Sequence, residues 1–404
     1  MKNTRVLISG ASIGGPAVAF WLHRYGFDVT VVEKAAGVRT GGQAVDFKGP
    51  IHRTVLDRMG ILGAVEAAHV PNPDGILVNA RGRRVGTIPG AFGGGEINVP
   101  RGDLATLLHR MTADTVRYLF GDSITSLTET DSGVDVTFEH ADAQTFDLVI
   151  GADGMHSNVR ALAFGPESDY VRHLGHYYVL AGLDTGEDDI MYTEPGRMAA
   201  IGGAKAPAFF VFASEKLPSA RDDVALQKQQ AVDALSGGGW RMPELVAQIP
   251  AAEEFYLDSI SRATLDHYSR GRIALVGDAA YGNALGGFGT GLALVGAYVL
   301  AGELAAAGGD HWRAFAAYEN SIRGYASISQ KINAGRLLAP ATRTGIFLRN
   351  LVFSSLSLIG PLMKVLDRPA TNIRLEDYSR FVVSTPRRWS TNGATTIREH
   401  PSTA

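Results

Sequence analysis

The sequence predicts an α/β fold centred on a Rossmann-like parallel sheet, and three stretches predict it. The first is MKNTRVLISGASIGGPAVAFWLHRYGFDVTVVEK, where an apolar run breaks at GASIGG into residues with almost no side chain. The second is FDLVIGADGMHSNVR at 146–160, and the third is RGRIALVGDAAYGNALGGFGTGLALVGAYVLAGEL at 270–304. Each joins an apolar strand to a carboxylate and a turn of small residues. A single aspartate at a strand end is usually a helix cap or turn former. Three such ends, far apart in the chain, predict one extended ligand along the carboxyl edge of a parallel sheet.

Within the first stretch, RVLISG reads as a strand, GGPAVAFWLHRYG as a helix ending at Gly26, and DVTVVEK as a second strand closing on Glu33. This βαβ unit matches the dinucleotide fingerprint in its proper context. Gly10 permits the turn, and Gly15 lets helix and strand approach. Ile13 and Gly14 begin the helix whose free N–H groups are offered to a pyrophosphate. Glu33, followed by Lys34, is placed to accept from the adenosine ribose hydroxyls. Ser12 replaces the middle glycine of the fingerprint; it still allows close approach and has a hydroxyl to donate to phosphate. A Gly-rich turn alone also occurs as a structural feature of ordinary α/β proteins, so the other two stretches carry the assignment.

Composition narrows the function classes. A chain of 404 residues is long for one core and predicts more than one packed unit. The formal net charge of −3, with acids and bases nearly balanced, gives no support to a nucleic-acid or anionic-membrane surface as the main partner. There are no cysteines, so disulfides, zinc-thiolate sites, iron–sulfur clusters and thiol nucleophiles are excluded, and no metal site is expected. The first residues run straight into a strand pattern without a basic-then-apolar leader, which predicts a cytoplasmic protein. The apolar stretch LVFSSLSLIGPLM at 351–363 is too short for a bilayer span and contains Gly360-Pro361, so it reads as a packed helix or a lid and no stable membrane span is expected.

With these stretches in place, the chain resembles the single-component FAD-dependent aromatic monooxygenases of the p-hydroxybenzoate hydroxylase fold, close to the tetracycline-degrading monooxygenases and polyketide hydroxylases. The resemblance covers residues 1 to about 330 and keeps the family's motif order. It implies that the first motif holds the ADP half of non-covalent FAD. GADGMHSNVR matches the motif for FAD and NAD(P)H handling, through Asp153, and GDAA matches the motif whose aspartate, Asp278, bonds the ribityl chain. VPRGDLATLL carries Arg101 toward the flavin side of FAD, and VRTGGQAVDFKG places Asp46 at the flavin, with Arg39 associated with NADPH. Gly289, Thr290 and Gly291 open the helix facing the flavin. The chain departs from the family at Tyr281, where a histidine is common, and at Leu285, where proline is common.

The resemblance further implies a discontinuous FAD-binding domain (1–75, 101–171 and 263–330), a mixed β-sheet substrate domain (76–100 and 172–262), and a C-terminal helical segment and tail (331–404). In the substrate segment, HYYVLAGL and AFFVFASEK read as strands and ARGRRVGTIPGAFGGG as a hairpin. Tyr177, Tyr178, Tyr192, Phe209, Phe210 and Phe212 are candidate pocket residues, though for each of them packing of a sheet face is the commoner role. His176 reads as a base or merely a strand cap, and no catalytic role is assigned to it. RRWSTNGATTIREHPSTA reads as a polar, frayed tail.

The activity implied is hydroxylation of a small aromatic or polyketide-like molecule by NADPH or NADH and dioxygen through a flavin hydroperoxide, in a monomer or weak homodimer. Two alternatives remain at this stage. One is epoxidation, Baeyer–Villiger oxidation or flavin-linked reduction on the same fold; the other is a non-catalytic flavoprotein that sequesters a drug-like ligand. No second G-x-G-x-x-G unit is evident, consistent with NAD(P)H docking transiently from outside.

Overall fold

The computed structural model describes residues 1–39, 41–90, 95–186, 189–202, 208–218, 223–358 and 373–383. Its central sheet has six strands, in the order Ser269–Arg270, Ile273–Leu275, Leu148–Gly151, Arg5–Ser9, Asp28–Glu33 and Arg117–Phe120. All neighbours are parallel except the Ser269–Arg270 pair. Ile8 faces Val31 on one side and Ile150 on the other, and Ile150 in turn pairs with Ala274. The three strands predicted to carry the ligand-binding turns are therefore adjacent. Val6, Leu7, Ile8, Val149 and Ile150 are fully buried, as expected for strands covered on both faces.

The helix Gly14–Arg24 and the helix Gly289–Ala306 pack together over this sheet. Gly289–Ala306 is long and apolar enough to cross a membrane by length and composition, but most of its surface is buried in this core. An Ala/Leu/Val helix apolar on every side is what a position between a sheet and other helices requires. The helix His311–Ser329 covers its far side.

A second sheet of seven strands is laid out as Phe255–Ala263, Val171–Ala181, Ala208–Ala213, Arg197–Ile201, Ile190–Glu194, Gly75–Val78 and Arg84–Ile88. It is antiparallel except where Ile190–Glu194 runs parallel to Gly75–Val78. HYYVLAGL and AFFVFASEK lie side by side in it, with Leu180 opposite Phe209. The hairpin read from ARGRRVGTIPGAFGGG is the Gly75–Val78 and Arg84–Ile88 pair, while residues 91–94 lie outside the described residues. A two-stranded ribbon, Ala44–Phe47 with Ile97–Pro100, pairs a strand of the first predicted segment with the end of the segment assigned to the substrate sheet. Short helices Ala334–Leu338 and Arg343–Leu358 follow; the polar tail from Arg387 lies outside the described residues.

Candidate flavin site

At the first turn, Gly10 has φ +102°, and a Cβ there would stand 2.6 Å from the Ala152 carbonyl oxygen. A Cβ on Gly15 would stand 1.8 Å from the Gly10 carbonyl oxygen, so helix, turn and neighbouring strand meet backbone to backbone. Ile13 is the N-cap of the helix and caps it with no side-chain bond, so its N-terminal N–H groups remain directed at the turn. Glu33 clamps the arrangement: Oε2 accepts from the Ala11 N–H at 2.8 Å and Oε1 from the Ala35 N–H at 2.9 Å. Lys34 follows it at an exposed position. Ser12 has a partner the fingerprint does not anticipate. Arg101 Nη2 donates to Ser12 Oγ at 2.8 Å, which fixes the guanidinium beside the turn and leaves the serine proton available.

The second turn is organised from within. Asp153 Oδ2 accepts from Ser9 Oγ at 3.2 Å and from the Val159 N–H at 3.0 Å, and Oδ1 accepts from Ser157 Oγ at 2.5 Å. Burial pushes its carboxyl up, and these donors act the other way. In this structure Asp153 holds the turn's shape. Arg160, fully buried, donates to the carbonyls of Ala279 at 2.9 Å and Met155 at 2.6 Å, joining this motif to GDAA.

At the third turn Gly277 has φ +66° and delivers Asp278 to the cleft. Asp278 is exposed there and, among the described residues, accepts no hydrogen bond. Although its surface opens on the cleft, the surrounding walls exclude enough water to push its carboxyl up; Arg101 opposes the rise and Asp258 adds to it. A Cβ on Gly289 would stand 3.8 Å from Asp278 Oδ1, so the carboxylate lies beside the first turn of Gly289–Ala306. The N–H groups of Gly289, Thr290 and Gly291 lack intrahelical partners by position and sum to a positive helix end.

Residues missed by sequence reading stand behind that turn. His52 is buried, with Nδ1 accepting from the Lys48 N–H at 2.9 Å and Nε2 lying 2.8 Å from Tyr325 Oη. A Cβ on Gly291 would stand 2.1 Å from the imidazole, so only glycine fits. Lys48 Nζ lies 3.4 Å from Asp46 Oδ2 and 4.9 Å from the Phe288 ring centroid. The usable signal was FKGPIH, since a proline in the first turn marks a helix start next to Asp46. Burial lowers the His52 pKa to about 4, with Asp46 opposing and Lys48 reinforcing the drop.

The folded state therefore keeps His52 neutral where the unfolded chain, at histidine's ordinary value of 6.5, protonates it. Its contribution is complete above that value and is lost as pH falls toward 4. The loss amounts to about 3 kcal/mol. Urea titrations between pH 7 and 4 should show this slope in the wild type and a shallower one in His52→Gln; equal slopes would remove the assignment.

Tyr281, where the family commonly has histidine, faces the core. Its hydroxyl lies 3.2 Å from that of Tyr318 and beneath Gly296. Leu285, at the family's proline position, has φ +57° and points to the seven-stranded sheet. There it joins Tyr178, Phe209, Met198 and Val211 on one face. Phe210, Phe212, Tyr177 and Tyr192 occupy the opposite face, against the helices Val224–Leu235 and Met242–Gln248. His176 is buried, its ring nitrogens 3.4 Å from the Leu174 and Ala339 carbonyls, and burial lowers its pKa. It acts as a packing residue under the helix Ala334–Leu338. Arg39 lies exposed after the second strand.

These residues fit a flavin dinucleotide. A turn closed to side chains sits at one end of the cleft, and an uncommitted carboxylate beside a helix N-terminus sits further along it. Among the described residues, no group of histidines and carboxylates could hold a metal ion.

Comparison with known proteins agrees. Residues 3–314 match the FAD binding domain family. An uncharacterised protein of Mycobacterium tuberculosis is 40% identical over 340 residues, covering 80% of this chain and 91% of that protein. A flavin-dependent monooxygenase of Legionella longbeachae is 34% identical over 343 residues, covering 82% of this chain and 88% of the other. The crystal structure of tetracycline destructase Tet(55) superposes with a TM-score of 0.78 at 32% identity, covering 94% of this chain and all of that one. HpxO of Klebsiella pneumoniae, complexed with FAD and uric acid, shares the fold at 20% identity, with a TM-score of 0.68 over 91% of this chain and 98% of the other. The chain belongs to the FAD binding domain family and is an FAD-dependent monooxygenase.

Proposed function

We propose that this chain hydroxylates a small aromatic or polyketide-like molecule, using NAD(P)H and dioxygen. One observation carries the reading. Leu285 stands between Asp278 and Gly289 in sequence, yet its side chain belongs to the apolar sheet face of Tyr178 and Phe209. The carboxylate, the helix N-terminus and an apolar surface thus share a wall. The likeness to a tetracycline destructase supports a polyketide-like substrate.

Bound FAD supplies electron transfer from NAD(P)H to dioxygen. The protein's residues hold and shield. Glu33 would orient the ribose end, Arg101, held by Ser12, would lie toward the flavin side, and Asp278 would accept from ribityl hydroxyls. The positive end of Gly289–Ala306 favours negative charge placed before it. Tyr178, Phe209 and Leu285 present the substrate with a surface poor in water. Asp153 serves by shaping its turn, and Asp46, paired with Lys48, borders the flavin.

With no second G-x-G-x-x-G unit evident in the sequence, reductant meets the cofactor from outside. Substrate should therefore gate reduction, with flavin bleaching by NAD(P)H at least about tenfold faster when ligand is bound, or ~1.4 kcal/mol off the barrier. Stopped-flow absorbance over phenolic and polyketide ligands reads this directly. A ligand that binds tightly yet neither speeds bleaching nor gains oxygen would favour sequestration instead. Arg39→Ala should slow bleaching by NAD(P)H by roughly tenfold, as loss of a charge contact of ~1.4 kcal/mol would. Photoreduction should be unchanged; slowing of both would place Arg39 in flavin binding rather than nicotinamide docking.

A further inference from the structure

The helix Arg343–Leu358 is amphipathic in the reverse sense from a soluble surface helix. Phe353 is buried and Arg349 nearly so, the latter donating to the Leu338 carbonyl at 2.7 Å and to Thr193 Oγ1 at 3.0 Å. The outward stripe is Phe347, Leu348, Leu351 and Val352, each more than half exposed. Their spacing puts them on one side of the helix. The hairpin strand Arg84–Ile88 runs alongside, with Ser354 Oγ accepting from the Thr87 N–H at 3.3 Å, and adds the half-exposed Val85. A contiguous apolar patch of this kind on a soluble chain marks a contact surface.

The charges beside the patch identify the partner. Arg81, Arg83 and Arg84 are exposed on the hairpin, and Arg343 and Arg336 are exposed at the helix and just before it. From residue 324 to 358 the chain has Lys331, Arg336, Arg343 and the inward-turned Arg349 and no acid, although the whole protein is net negative. Of the acids on the adjoining strands, Asp74 and Asp189 sit at the far end of the hairpin, by Gly90 and Gly75, while Glu194, next to Thr193, is engaged by Tyr192 Oη, the Gly239 N–H and Arg197. An apolar stripe edged by arginines is the pattern of a helix lying in the interface of an anionic bilayer.

We propose that this face is a docking surface for an anionic lipid bilayer, with Phe347, Leu348, Leu351 and Val352 inserted among the acyl chains and the hairpin arginines at the headgroups. The contact is interfacial, and no segment spans. It goes beyond the proposed reaction and adds a location to it. The same helix carries Phe353 on its inner side, in the apolar cluster of Tyr178 and Phe209, so a lipid-dissolved substrate would meet the enzyme on the side where its apolar sheet face is roofed.

The test is sedimentation of the full-length FAD-loaded protein with vesicles of phosphatidylcholine, alone or mixed with phosphatidylglycerol. Partitioning onto the mixed vesicles should exceed that onto neutral ones at least about a hundredfold and fall as salt rises. Phe347→Ser with Leu351→Ser should lower it about tenfold or more on both. Arg81→Ser, Arg83→Ser and Arg84→Ser together should lower it on the order of a hundredfold on anionic vesicles only. All these positions are exposed, so flavin content and thermal midpoint should stay at wild-type values. Failure of the wild type to sediment with either vesicle overturns the proposal, as does equal partitioning of the variants. A dimer seen by light scattering and abolished by the serine pair, without vesicle binding, assigns the face to a second copy. A monomer indifferent to vesicles leaves residues 359–372 of the chain itself as the cover; either result contradicts the lipid assignment.

Discussion

Gly15→Ala is expected to give a protein that neither retains flavin nor reaches wild-type stability. The added methyl would stand 1.8 Å from the Gly10 carbonyl oxygen, a backbone atom that no rotamer change can move aside. Relief requires the helix Gly14–Arg24 to draw back from the strand turn, which separates its N-terminus from Gly10 and Ala11. The Ala11 N–H would then leave Glu33, and the clamp on the adenosine end would open. Overpacking against a rigid contact costs about 3 kcal/mol. Gly63→Ala is the matched control. It lies in the helix Leu62–Ala67 with nothing within 4 Å of the new carbon, and should gain up to about 1 kcal/mol. Urea denaturation and the flavin-to-protein absorbance ratio separate the two; a wild-type ratio in Gly15→Ala would show that the turn does not hold the cofactor.

Asp278→Ala should weaken FAD by about 10- to 150-fold while leaving the apoprotein's stability unchanged. The carboxylate makes no hydrogen bond within the described protein, so its removal breaks nothing in the fold, and a charge-assisted bond to a hydroxyl is worth roughly 1.5–3 kcal/mol. Calorimetric titration of apoprotein with FAD, beside thermal melts, checks both halves. Wild-type affinity would mean that Asp278 points at solvent alone. Lost affinity with a lowered melting point would mean a structural role instead.

The contrast between these two positions explains how far the sequence could be read. Strand, small-residue turn and helix start are neighbours in the chain, so Gly10, Gly15, Glu33 and Asp278 were legible, and parallel pairing of the three strands followed from them. The face of the second sheet was not legible. Alternation puts Phe209 and Phe210 on opposite sides, and it is Leu285, arriving from the GDAA turn, that packs on the Phe209 side. Asp153 looked like Asp278, a carboxylate after a strand, yet Ser9, Ser157 and Val159 take up its oxygens. That difference comes from a neighbouring strand and the following helix, beyond any local pattern. His52 and Gly291 are likewise a pair made by packing. The Tyr281 departure proved to concern the core, where a phenol stacked below Gly296 can stand in for a different ring without touching the cleft.

In the proposed reaction, reductant and dioxygen are spent on a substrate held between the flavin and the face of Tyr178 and Phe209. Turnover of a ligand that accelerates flavin bleaching, run under isotopically labelled dioxygen and read by mass spectrometry of the product, tests it most directly. The product should gain one labelled oxygen atom from dioxygen and none from labelled water. A product with unlabelled oxygen, or an unchanged ligand recovered beside hydrogen peroxide equal to the NAD(P)H consumed, would contradict it.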